Sequence, residues 1–274
     1  MNWLVRELQR QTRMTVQEPF RFIRVFREWV SDPRSVKKYL SFISVKRKVG
    51  ERWSENETQG IQRREYKSYE DYLEHQASKL QHIDLRDYDV WFRKCLADRL
   101  AALPEIKPGM SALCLAARIG TEVKAFQDVG CFSVGIDLNP GPNNKYVLNG
   151  DFHEIQFPSD SVDVVYTNSI DHAFDAVKMV SEVKRVLKAS GVFIVEAPLG
   201  REAEQAAEDY ESFWWNSDSD LQVVVEGCGF LMLRREPIER PAVGVAMVFQ
   251  PVTASGPLAI RADSQREDSQ PAGR

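Results

Sequence analysis

The stretch GDFHEIQFPSDSVDVVYTNSIDHAFDAVKMVSEVKRVLKASGVFIVEAP, residues 150–198, decides the fold class. Within it the run VDVVYTN is short, nearly continuous in apolar residues and rich in valine, which predicts a strand buried on both faces. VKMVSEVKRVLK then returns apolar residues at helical spacing, so a helix is expected to end near Lys188, with Gly191 as its terminator. GVFIVEA reads as the next strand. A buried strand, a helix and another buried strand in series form the unit that joins parallel neighbours.

The alternation extends in both directions from this block. Before it lie SALCL, the helical EVKAFQDV, FSVGID and YVLNGD, with Gly130 placed to stop the helix. After it come FLMLRRE and VGVAMVFQ with no clear helix between them, which suggests an antiparallel hairpin at one sheet edge. The fold expected is therefore α/β: a doubly wound, mostly parallel, Rossmann-like sheet with an antiparallel C-terminal edge pair, preceded by a helical N-terminal region.

Three regions differ in texture: 1–108, helical and basic at its start; 109–252, the patterned domain; and 253–274, a polar, small-residue tail expected to be disordered. In the first, Asp87 or Asp89 is placed to cap a helix running through Trp91, Leu96, Leu100 and Leu103. The chain's 274 residues are 43% hydrophobic and 28% charged, a balance suited to a globular protein. No apolar run approaches the length of a membrane span, and the N-terminus lacks an apolar signal core, so a cytoplasmic location is expected. Cys95, Cys114, Cys131 and Cys228 show no metal-ligand spacing and read as reduced thiols.

Residues 1–50 carry twelve Lys or Arg against four Asp or Glu, a balance of +8, which leaves −12 for the rest of a chain whose net charge is −4. Phe20, Phe22, Ile23, Phe26 and Val30 interleave with arginines as a basic amphipathic helix. Such a segment suits an anionic membrane surface, a phosphate-bearing partner, or docking on the protein's own acidic body.

In a doubly wound sheet the ligand lies beyond the carboxyl ends of the strands, so the turns there carry the chemistry. After SALCL the turn contains Ala116, Ala117, Arg118 and Gly120. Small residues there let backbone amides approach a ligand, and the following helix N-terminus attracts a carboxylate, although close packing alone would also explain them. At the end of FSVGID, Asp137 is placed to accept hydrogen bonds from both hydroxyls of an adenosine ribose, with Leu138 beside it; the alternative is a capped turn. At the third strand end Asp151 suits an adenine amino group and Phe152 the face of the base, or both belong to an ordinary turn. The fourth turn holds Asn168, Asp171 and His172. His172 has the ordinary pKa of a general base, while Asp171 and His172 together could simply cap a helix.

Taken together, Ala112 to Val123, the GIDLNP turn, the block GDFHEIQFPSDSVDVVYTNSIDH and VKRVLKASGVFIVEAP resemble the class I S-adenosylmethionine-dependent methyltransferases of the type 11 group, in order and spacing over about 140 residues. The resemblance implies S-adenosyl-L-methionine as cofactor, held by Ala116, Ala117, Arg118, Gly120, Asp137, Leu138, Asp151, Phe152 and Asn168. It also implies a last strand inserted beside its neighbour. Family members usually carry an acidic residue where this chain has Cys114 and glycines where it has Ala116 and Arg118. Arg118 either crowds the methionine end of the cofactor or pairs with its carboxylate.

Methyl transfer to an oxygen or nitrogen of a small molecule or glycan-type acceptor is the function expected, with RNA a less favoured acceptor. A cofactor-binding scaffold without turnover is the second reading. A nicotinamide-dependent enzyme is disfavoured because the chain lacks G-x-G-x-x-G.

Overall fold

The structure, a computed structural model, describes residues 52–54, 60–79 and 86–252. The basic segment over residues 1–50 and the tail from 253 lie outside the described residues.

Seven strands form the main sheet. They are β2 (Ser111–Leu115), β3 (Phe132–Asp137), β4 (Val147–Asn149), β5 (Val162–Thr167), β6 (Leu187–Ala197), β8 (Phe230–Ile238) and β9 (Gly244–Pro251), in the order β4-β3-β2-β5-β6-β9-β8. β2 pairs in parallel with both β3 and β5, so the order reverses at β2 and β5, where their carboxyl ends open a crevice. β9 runs antiparallel between β6 and β8, which confirms the C-terminal hairpin and places its last strand inside the edge.

Side-chain alternation along these strands divides the core in two. Leu113, Val165, Phe193 and Met247 point to one face, where α4 (Ala176–Val186) and α5 (Asp218–Gly227) cover them with Val180, Val183, Leu221 and Val225. Ala112, Cys114, Val164 and Tyr166 point to the other, under Leu96 of α2 (Arg86–Ala102) and Phe126 of α3 (Thr121–Asp128). No described helix is long and apolar enough to cross a membrane.

Three local readings needed correction. The helix stops at Val186, and Leu187 already pairs with Val162, so the Lys188–Gly191 segment belongs to an irregular start of β6. Asp87 and Asp89 both lie inside α2 and neither caps it; the Asp89 carboxylate accepts from Lys124 Nζ at 2.7 Å and Thr121 Oγ1 at 3.0 Å, pinning α2 to the start of α3. The region before Ser111 also contributes a strand, β1 (Ile61–Arg63), which pairs antiparallel with β7 (Phe213–Trp215) and leads into α1 (Tyr69–Lys79).

Gly135 in β3 is dictated by space. A Cβ there would sit 2.6 Å from Ala117 Cβ and 3.0 Å from side-chain atoms of Val123 and Val147. We expect Gly135→Ala to lower unfolding free energy by roughly 1–3 kcal/mol through overpacking, read by chemical denaturation.

Candidate functional site

The crevice at the ends of β2, β3 and β5 is built around the turn after β2. Three of five residues in it are left-handed: Ala116 at φ 53°, Arg118 at φ 42° and Gly120 at φ 80°. The backbone thus takes the path that glycines favour, although two positions carry side chains. Two hydrogen bonds hold it there. Ala117 N donates to Ile136 O at 3.1 Å, and Arg118 N donates to Asp137 Oδ2 at 3.0 Å. The second Asp137 oxygen accepts from Asn139 N at 2.7 Å.

Two adjoining cavities open along this turn. The larger, about 480 Å³, is lined by Ala116, Ala117, Arg118, Asn168 and His172 together with Lys79, Glu122 and Glu196. The smaller, about 40 Å³, is bounded by Asp137, Leu138 and Phe152, and closed by Tyr72 and Gln76 of α1. Ala116, Arg118, Ser169 and His172 face both. Of the residues singled out in the turns, eight therefore line a cavity, while Gly120, Asp151 and Asp171 line neither. Gly120 is packed under Tyr146, whose Cβ would lie 2.6 Å from an added methyl. Asp151 takes a hydrogen bond from Tyr69 Oη and two from His153, at 2.8 Å from its backbone N and 2.8 Å from Nδ1. Burial opposes ionisation of Asp151, but the bonds from His153 and Tyr69 prevail and hold its carboxyl below the usual range.

The far wall of the larger cavity is a closed ion pair. Arg99 grips Glu196 with Nε–Oε1 at 2.7 Å and Nη2–Oε2 at 2.6 Å, and Tyr166 Oη donates to Oε2 at 3.0 Å. Glu122, buried in the first turn of α3, accepts from Asn168 Nδ2 at 3.3 Å and bridges the ends of β2 and β5. Among the described residues, the Arg118 guanidinium, with its five N–H donors, makes no hydrogen bond or ion pair.

His172 ends a short 3-10 helix, Ile170–His172, directly after β5. Its Nδ1 lies 3.0 Å from the Tyr210 carbonyl, which can only accept, so Nδ1 carries the proton and Nε2 is bare. Lys79 Nζ donates to that Nε2 at 2.7 Å. Burial and the nearby Lys79 charge push His172 well below its ordinary pKa. Burial and the charge of Arg118 push Lys79 down to about 8, against the pull of Asp171 and Glu211. Asp171 is itself pushed up to about 7, by burial and by Glu211.

Sequence reasoning missed Lys79, Tyr72, Gln76 and Glu122. Glu122 follows Gly120 in the first turn of α3, and its place at a helix N-terminus was the available signal. Lys79 sits 93 residues before His172 with no motif around it, and only the fold brings the two together.

Residues 113–195 match the model of the methyltransferase domain family. The match spans the strands and turns that build the crevice and covers less than a third of the chain. No curated protein sequence matches the chain. The solved complex between the Haloferax volcanii Trm112 methyltransferase activator and a methyltransferase shares the fold at 17% identity, with TM-score 0.51, over 62% of this chain and 92% of that one. A SAM-dependent methyltransferase from Aquifex aeolicus aligns at 15% identity and TM-score 0.48, over 65% of this chain and 98% of its own.

The left-handed Arg118 in the domain's first turn has a measurable consequence. Replacing it with glycine, Arg118→Gly, removes a strain of about 1 kcal/mol, so the ligand-free protein is expected to resist denaturant slightly more than the wild type.

Proposed function

We propose that the chain is an S-adenosylmethionine-dependent methyltransferase acting on an oxygen or nitrogen of a small-molecule or glycan-type acceptor. The observation that carries this reading is the turn after β2, which keeps a glycine-like path against Asp137 at the mouth of two joined cavities.

The residues present fit the cofactor. Each Asp137 oxygen accepts one backbone N–H, which leaves a lone pair on each for the two ribose hydroxyls. Leu138 and Phe152 give the smaller cavity apolar walls suited to a base, and Arg118 offers a free planar fork to a carboxylate. Ala116, Ala117 and Asn168 line the passage between the two ends. When bound, the cofactor supplies a methyl group already activated on a sulfonium.

This chain's contribution is to bind, align and exclude water. Tyr72 and Gln76 close the smaller cavity to about 40 Å³, so α1 must yield to admit a nucleoside, and Tyr69 must release Asp151 before that carboxylate can meet a base. The larger cavity falls within the range of about 300–1,000 Å³ typical of small-molecule sites, which favours a small acceptor group over a nucleic-acid surface. His172 marks the end of that cavity where a proton leaves the acceptor.

A second reading, a scaffold of the same fold without turnover, draws on the closed smaller cavity. Calorimetry with S-adenosylmethionine tests the proposal. Binding is expected in the wild type, and Asp137→Ala should weaken it more than about tenfold, since charge-assisted hydrogen bonds contribute about 1.5–3 kcal/mol each. A wild-type chain that takes up no cofactor even at millimolar concentration would overturn it. Binding without label transfer to any fraction of a cell extract would favour the scaffold.

A further inference from the structure

We infer that Lys79 is the group that takes the proton from the methyl acceptor and that His172 is the residue that positions it. The assignment rests on the methyl-transfer reading above.

Lys79 is the last residue of α1, and both it and His172 line the larger cavity. His172 is poorly placed to act directly. Its Nδ1 proton is committed to the Tyr210 carbonyl and its Nε2 lone pair to Lys79, so no lone pair remains for an acceptor. The same two bonds fix the imidazole and hold Nζ at one spot. Asp171 and Glu211 both act electrostatically on Lys79, and among the described residues their Oδ1 and Oε2 are buried without a hydrogen-bond partner. One ligand atom from each of Asp171, His172 and Glu211 lies within 4.8 Å of the others, an arrangement that could hold a cation, and the cation already facing it is the Lys79 ammonium.

This cradle matches a proton acceptor in both of its states. As a neutral amine, Lys79 keeps an N–H on His172 Nε2 and has one lone pair for the acceptor's O–H or N–H. During transfer the acceptor atom forms its bond to the methyl carbon, the electron pair of the broken methyl–sulfur bond stays on sulfur, and the acceptor's proton passes to Nζ. The ammonium so formed is balanced by Asp171 and Glu211, with Arg118 and Glu208 the other charges acting on it. Burial and Arg118 bring its pKa down to about 8, which makes the free amine accessible near neutral pH.

The test uses the full chain, labelled S-adenosylmethionine and the small-molecule fraction of a cell extract, with calorimetry of the cofactor in parallel. Lys79→Met and Lys79→Arg should each lose about 100-fold or more in transfer, because neither side chain can accept a proton, while cofactor affinity stays within about threefold. Wild-type transfer should rise with pH through a midpoint near 8, since the amine works only after losing its proton. His172→Asn should lose less and shift that midpoint. A Lys79→Arg enzyme with wild-type rate, or a pH limb unchanged in His172→Asn, overturns the assignment alone. Failure of the wild type to bind cofactor overturns the methyl-transfer reading and this assignment with it. Acylation of Lys79 by acetic anhydride, followed by mass spectrometry, needs no acceptor: a midpoint near 8 supports the assignment, and one near the surface-lysine value of about 10.4 refutes it.

Discussion

The carboxylate of Asp137 is the constraint on which the site depends. It accepts the backbone N–H of Arg118 from the turn after β2 and that of Asn139 from the turn after β3, so one side chain ties together the ends of two adjacent strands. The tie matters because the first of those turns is uphill: left-handed backbone at a residue with a Cβ costs roughly 1–2 kcal/mol, and Ala116 and Arg118 both adopt it. Charge-assisted bonds are strong enough to offset strain of that size. Gly135, one strand over, leaves room for Ala117 to lie flat against β3. Cavity shape, the exposure of Arg118 and the approach to the start of α3 all follow from this tie.

The buried and half-buried charges around the crevice are of two kinds. Arg99 with Glu196 and Tyr166, and Lys124 with Asp89 and Thr121, are closed groups in which both ionic partners are engaged. They cross-link α2 to β6 and to α3, and their value lies in geometry more than in net energy, since desolvation offsets much of the attraction. The group around Lys79 is different. Among the described residues it carries buried carboxylate oxygens with no hydrogen-bond partner and a guanidinium with none, and a low-dielectric setting makes such open valences expensive to keep. Open polar groups of this kind collect on one side of the crevice, while the closed pairs form its frame.

The sheet could be read from sequence because its strands are buried on both faces and therefore appear as uninterrupted apolar runs. The mostly parallel sheet and its antiparallel C-terminal pair followed from that pattern, and the inserted β9 from family resemblance, whereas the full strand order came only with the structure. Boundaries were less legible: Lys188, Ala189 and Ser190 suit a helix end as well as a strand start, and only the pairing of Leu187 with Val162 settles which they are. The β1–β7 pair is three residues long on each side and joins segments about 150 positions apart, so no local pattern announces it. The same holds for the site. The residues in the turns were legible because they follow strands, whereas Lys79, Tyr72 and Gln76 reach the crevice only because α1 folds across it. Asp89 shows the converse failure, where a good capping residue is used for a tertiary bond.

The inserted strand has one more consequence. Because β8 runs parallel to β6 and β9 returns beside it, the hairpin connecting them lies at the crevice end of the sheet, and its Pro241, Ala242 and Val243 form part of the cavity rim. This connection is short, joins two firmly paired strands, and carries none of the residues that shape the turn after β2. Its length and side chains can change without disturbing the turn after β2. Under the proposed function, the range of acceptors is therefore set through a hairpin tip that is structurally independent of the turn after β2.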